Sequence, residues 1–100
     1  MEMLINDENG NFIIQHTLNL KLDRINNRIF QFVKNNIVLL SKQKYSSNVI
    51  DKCILYEDAN LRSSVIQKMI DMKCIGDLIL DQYGNYGKIY KKLLSKIKIN

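Results

Sequence analysis

The chain has 100 residues, 46% hydrophobic and 25% charged, with a formal net charge of +5. That length allows one small domain with a modest core, and the balance is that of a folded chain rather than a disordered one. Apolar runs such as "NIVLL" at residues 36 to 40 are too short to cross a membrane, and "MEMLINDENGN" at the start is acidic and polar, unlike a signal peptide.

There is no proline and only four glycines, while Leu, Ile, Lys and Gln recur, so the chain is predicted to be all-α. In chain order, "NGNFIIQHTL" at 9 to 18 opens with Gly, Asn and an aromatic and continues with apolar residues at helical spacing. "IIQHTLNLKL" also alternates in part, but its place in the repeat described below argues for helix. "NRIFQFVKNNIVLLSKQ" at 27 to 43 places Ile29, Phe32, Val33, Ile37 and Leu40 on one stripe. "YSSNVIDKCI" at 45 to 54 repeats the opening pattern. "LRSSVIQKMIDM" at 61 to 72 carries Leu61, Val65, Ile66, Met69 and Ile70, with Asn60 as its N-cap. "IGDLILDQ" at 75 to 82 reads as one or two helical turns. "YGNYGKIYKK" at 83 to 92 restates the opening phrase, and Lys88, Lys91, Lys92, Lys96 and Lys98 read as the wet face of a terminal helix or, alternatively, as a patch that steers a polyanion. No strand and no long linker is predicted.

Three of these segments align on Asn11, Ser47 and Asn85, which are 36 and 38 residues apart. A period in the thirties is the mark of an α-solenoid, in which each repeat is a few short helices. Residues i and i+4 lie one above the other on a helix, so each opening polar residue shares a face with the one four positions on. Those pairs are Asn11 with Gln15, Ser47 with Asp51, and Asn85 with Ile89. Cys53 and Cys74 fall within helical patterns and read as two buried thiols rather than a disulfide. With one histidine there is no ordinary zinc set. His16 reads as an interface or core residue. No nucleophile is paired with it in sequence and no phosphate loop appears, so no enzyme and no cofactor is expected. Tyr45 and Tyr83, which precede the openings, read as repeat–repeat packing. The excess of basic residues suits a polyanionic partner without establishing one. An intracellular location is expected: the cytoplasm, with nucleus or nucleolus as alternatives.

"ENGNFIIQHTL", "QKYSSNVIDKCI" and "DQYGNYGKI" resemble, in order, three base-reading helices of the Pumilio (PUF) family of RNA-binding repeat proteins, and the resemblance covers nearly the whole chain. It implies an α-solenoid of three-helix repeats, truncated to about two and a half repeats near residues 1–24, 25–60 and 61–100. In a complete domain these would be the sixth to eighth repeats. In that family the middle helix of each repeat lines a concave face and meets one base of single-stranded RNA. Carried over by position, the resemblance assigns base-edge contact to Asn11, Gln15, Ser47, Asp51 and Asn85, and base stacking to Phe12, Asn48 and Tyr86. It pairs Asn11 and Gln15 with uracil and Ser47 and Asp51 with guanine. With RNA antiparallel to the repeats, the target core is 5′-UGU-3′. The chemistry fits: Asn and Gln offer both donor and acceptor to uracil, and an ionised Asp accepts from guanine.

Two positions depart from the family pattern. Asp51 stands where Glu is usual and is one methylene shorter. Ile89 stands where Gln is usual and cannot hydrogen-bond a base. The first motif begins at residue 9, so the N-terminal edge is expected to expose apolar surface unless Met1, Met3, Leu4 and Ile5 fold back over it, and the chain reads as a fragment of a larger domain, a degenerate gene product, or a chain completed by a partner. The family's usual role, regulation of messenger RNA through 3′ untranslated regions with protein co-repressors as partners, is implied by resemblance alone. Neither a membrane nor a small-molecule substrate is implied. Two other readings stand beside it: a helical scaffold that binds protein, and a PUF-like ribosome-assembly factor with little choice of sequence.

Overall fold

Asp7 starts the first long helix. Its Oδ2 accepts hydrogen bonds from the backbone N–H groups of Asn9 (2.9 Å) and Gly10 (2.8 Å), two of the donors that a helix start leaves without a partner. The computed structural model describes residues 1–72, and all the regular structure among them is helical. The elements are α1 (Glu2–Ile5), α2 (Gly10–Asn19), α3 (Asp23–Asn35), α4 (Ile37–Lys42), α5 (Ser46–Ile54) and α6 (Ala59–Asp71). The expected 75 to 82 turns, the third motif and the terminal lysines lie outside the described residues.

α2 packs beside α5, and α3 beside α6, while α1 and α4 lean on α2 and α5 respectively. The architecture is an α-solenoid, two parallel rows of stacked helices. Its period is visible in the helix ends: Gly10 and Ser46, Asp23 and Ala59, and Asn35 and Asp71 are each 36 residues apart. The core keeps the same step. Ile14 and Ile50, Leu18 and Ile54, Ile29 and Val65, and Val33 and Met69 are equivalent pairs, and all eight are buried. Burying a side chain of this size contributes roughly 1.5–3 kcal/mol, so both rows are held by apolar contact rather than by helix propensity.

The 27 to 43 stripe proves to be two helices. Asn36 breaks it with φ −124° and ψ 23°, and its side-chain amide donates to the Phe32 carbonyl at 2.9 Å, beside the bond its backbone N–H makes to the same oxygen at 3.2 Å. Within α3, spacing from Ile29 picks Phe32 as well as Val33 for the core. Phe32 is only half-buried, and Phe30 is sealed instead, its ring 5.1 Å from that of Tyr56. Asn60 is not the cap of α6. The helix begins at Ala59, and Asp58 Oδ1 accepts from the N–H groups of Asn60 (2.9 Å) and Leu61 (3.1 Å). At the N-terminal edge Ile5 is fully buried, whereas Met3 stays in solvent and Met1 and Leu4 are exposed. The covering role falls to Ile5.

α2 ends in a left-handed residue, Lys21, with φ 56°. A glycine is usual at such a stop because a side chain is strained there, by roughly 1–2 kcal/mol. Its ammonium lies 3.1 Å from the Glu57 carboxylate, but both groups are largely exposed and such a pair adds little. The stronger tie between the rows is buried: Asn26 donates its amide hydrogens to the Leu18 carbonyl (3.0 Å) and to the Tyr56 hydroxyl (2.5 Å).

Candidate nucleic-acid interface

The two motifs at 9 to 18 and 45 to 54 open on one hydrogen-bond frame. The Asn11 N–H donates to the Asp7 carbonyl at 3.1 Å, and the Ser47 N–H to the Gln43 carbonyl at 3.2 Å. One residue on, the Phe12 N–H reaches the Asn9 carbonyl at 3.2 Å, and the Asn48 N–H the Tyr45 carbonyl at 3.1 Å. The side chains follow suit. Asn11 Nδ2 donates to the Glu8 carbonyl (2.9 Å) and also to that of Asp7 (2.8 Å), and Ser47 Oγ donates to the Lys44 carbonyl (3.1 Å). These acceptors are themselves one repeat apart. Asn11 and Ser47 therefore lock the turn that enters each helix.

That role decides their exposure. Asn11 and Ser47 are both 0% exposed. Asn11 has committed both amide hydrogens, and its oxygen accepts from Gln15 Nε2 at 3.1 Å. The contact between i and i+4 expected from the sequence is thus made within the protein: Asn11 holds Gln15, and Gln15 is the half-exposed member of the pair. In the second motif Ser47 is buried while Asp51 and Asn48 are half-exposed. A ligand on the surface meets Gln15 and Asp51 first. It reaches Asn11 and Ser47 only if the turn bonds give way.

Phe12 is 62% exposed at the opening of α2. A ring that large, left in water on a helix with a well-filled core behind it, is available for stacking. Its equivalent on the neighbouring α5 is Asn48, a planar amide. His16 is exposed in the last turn of α2 rather than in the core. Tyr45 is half-buried, with the Lys44 ammonium 5.3 Å from its ring centre. The remaining residues assigned to the site, Asn85, Tyr86 and Ile89, lie outside the described residues, as do Tyr83 and Cys74.

Two titratable groups mark the electrostatics. The N–H groups of Gly10 and then Asn9 hold the Asp7 carboxyl below its ordinary value, because they bond its charged form. Burial raises the Cys53 thiol to about 12, as expected of an inert core cysteine rather than a reactive one. Among the described residues, two clefts border the rows. One, of about 250 Å³, lies at the C-terminal ends of α2 and α5 and is lined by Leu18, Lys21, Lys52 and Tyr56 among others. The other, of about 290 Å³, lies where α3 meets α4, beside Lys34, Lys68 and Met72. Neither touches Phe12, Gln15, Asn48 or Asp51. Among the described residues no helix is long and apolar enough to cross a membrane.

Sequence reasoning did not find Asn6 and Asp7. Asp7 carries a local signal, a carboxylate just ahead of a helical pattern. Asn6 carries none, because its partners, the N–H groups of Tyr45 and Ser46, lie in the next repeat.

The Pumilio-family RNA binding repeat model matches residues 36–70 and 74–86. Pumilio homolog 12 of Arabidopsis thaliana is 32% identical over 98% of this chain and 18% of its own length. A Pumilio domain-containing protein of Schizosaccharomyces pombe is 32% identical over 83% of the chain and 12% of its length. The mRNA-binding protein PUF3 of Saccharomyces cerevisiae is 33% identical over 77% of the chain and 10% of its length. The chain thus spans less than a fifth of each of these relatives. No solved structure gives a significant match. With its 36-residue helical step, its paired openings on α2 and α5, and these relatives, the chain belongs to the Pumilio family.

Proposed function

We propose that this chain binds single-stranded RNA across the adjacent openings of α2 and α5, one base to each helix, as a binding rather than a catalytic protein. The observation that carries the reading is the equivalence, one repeat apart on packed helices, of exposed Phe12 and half-exposed Gln15 with half-exposed Asn48 and Asp51. Phe12 stacks on a base, a contact worth roughly 1–3 kcal/mol by alanine substitution in other single-strand binders. Asn48 offers only an amide plane and stacks less. Gln15 has a carbonyl and an amide to match uracil, and Asp51 accepts from the N–H groups of guanine. Asn11 and Ser47 contribute by holding the turns, and join the base contacts only on rearrangement. Asn85, with Tyr86 as the stacking ring, extends the site to a third base and a UGU-like core. The net charge of +5 favours a polyanion and makes the affinity fall with salt. The same reading divides the chain into repeats near 1–24, 25–60 and 61–100. It gives the protein a cytoplasmic role in regulating messenger RNA through 3′ untranslated regions, with co-repressor proteins as further partners.

A second reading, a helical scaffold for protein, draws on one specific observation: Asn11 and Ser47 have no exposed surface to offer a base. Fluorescence anisotropy separates the two. A short UGU RNA should bind more tightly than ACA RNA or DNA of the same length, and Asp51→Ala should erode the preference for guanine more than the overall affinity. Equal binding to all three at every salt concentration would point to backbone contact without base choice. Absence of binding to any of them would leave the scaffold.

A further inference from the structure

Asn6 and Asp7 are consecutive residues in the turn between α1 and α2, and each holds the start of a different helix. Asp7 Oδ2 takes the N–H groups of Asn9 and Gly10 at the head of α2. Asn6 Oδ1 takes the N–H groups of Tyr45 and Ser46, each at 3.1 Å, at the head of α5. α5 has no cap of its own: Tyr45 stands at its N-cap and makes no side-chain cap bond. Its first donors are therefore met from the preceding repeat, across 39 and 40 residues of sequence. Successive Cα atoms are about 3.8 Å apart, so a single peptide step joins the anchors of the two helix heads.

The turn that carries both anchors is itself pinned. Ile5, just before it, is fully buried. Gly10, just after it, lies so close to α1 that a Cβ there would stand 2.5 Å from the Leu4 carbonyl oxygen. The residues offered to a base follow at once: Phe12 is two positions beyond Gly10, and Asn48 two beyond Ser46. An amide oxygen suits the task, since its two lone pairs accept two N–H donors without adding a charge.

We propose that Asn6, acting with Asp7, is a positioning residue that sets the register between the two base-binding helices and so the spacing of the bases they take. The proposal rests on the RNA reading above, with the base on α5 lying 5′ of the base on α2. Losing the Asn6 tie lets α5 slide against α2 while Phe12, Gln15, Asn48 and Asp51 all remain in place on their own helices.

The test uses the full chain as wild type, Asn6→Ala and Asn6→Asp, the last keeping an acceptor oxygen. Without RNA, hydrogen exchange at the Tyr45 and Ser46 amides should be faster in Asn6→Ala by about tenfold and near wild type in Asn6→Asp. With RNA, a UGU strand is compared with one that has an abasic nucleotide inserted between the G and the U on its 3′ side. Wild type should bind the inserted strand roughly tenfold more weakly, because the two contacts no longer match the span. In Asn6→Ala that ratio should collapse towards one, and Asn6→Asp should restore it. Faster exchange with an unchanged ratio makes Asn6 a simple cap and overturns the positioning role, and unchanged exchange overturns the tie itself. If wild type binds neither strand, the RNA reading fails and the positioning role with it, while the exchange arm still reports the tie.

Discussion

The α2–α3 pair and the α5–α6 pair are built on one plan 36 residues apart, and they differ in what covers them. Val49 on α5 is 0% exposed, lying in the row against α2, while Ile13, its equivalent on α2, is 55% exposed. The heads of the two helices differ as well. Ser46 fills its position with a hydroxyl that donates to the Leu40 carbonyl at 2.7 Å. In the first repeat the equivalent carbonyl, that of Leu4, comes too near to admit any Cβ at Gly10. The hydrogen-bond frame belongs to the motif and recurs with it, whereas burial belongs to the neighbours and does not. The same letters at the same place in a repeat can thus be core in one copy and surface in the next.

Truncating the equivalent pair should separate the two helices most clearly. Val49→Ala should lower stability by about 1.5–3 kcal/mol, the worth of burying such a side chain. Ile13→Ala should stay within about 0.5 kcal/mol, as surface changes do. Urea unfolding followed by circular dichroism reads both, and equal losses would break the comparison. Next comes Gly10→Ala. Its new methyl group meets backbone rather than a flexible side chain, so a cost of roughly 1–3 kcal/mol is expected, in the range of overpacking. The same urea experiment checks it, and a neutral result would mean that α1 does not press on α2 as described.

The smallest effect is on chemistry at Cys53. Burial raises its thiol to about 12, so at pH 8 it stays protonated and covered. Alkylation at that residue, followed by peptide mapping, should be negligible in native buffer and become rapid only where urea unfolds the chain. Raising the pH towards 12 should increase thiolate formation only as the fold allows. Prompt native labelling at pH 8 would show that the α2–α5 row opens readily.

Much of this was legible in the sequence, and what was not has identifiable causes. The period was visible because Asn11 and Ser47 stand at matching places, and Ile29, Val33, Ile37, Leu40, Val65 and Met69 fall into the core by helical spacing. The break at Asn36 was hidden because apolar residues keep a helical period on both sides of it, and the side-chain bond to Phe32 that marks it leaves no pattern in composition. Asp58 was passed over for Asn60 because both residue types cap, and only the backbone decides which one stands outside the helix. The burial of Asn11 and Ser47 could not be read, since an opening polar residue looks alike whether it faces a ligand or ties down the preceding turn. The Asn6 bond to α5 joins residues that no local window contains together.

Equivalent positions on α2 and α5 are proposed to form one continuous surface for nucleobases. Titrating a UGU RNA into isotopically labelled protein and following amide and side-chain resonances tests it most directly. The largest shifts should fall on Phe12, Gln15, Asn48 and Asp51 and saturate together, with the 290 Å³ cleft beside Lys34 and Lys68 unchanged. Shifts confined to that cleft, or to the one at Lys21 and Lys52, with Phe12 and Gln15 unmoved, would contradict the account.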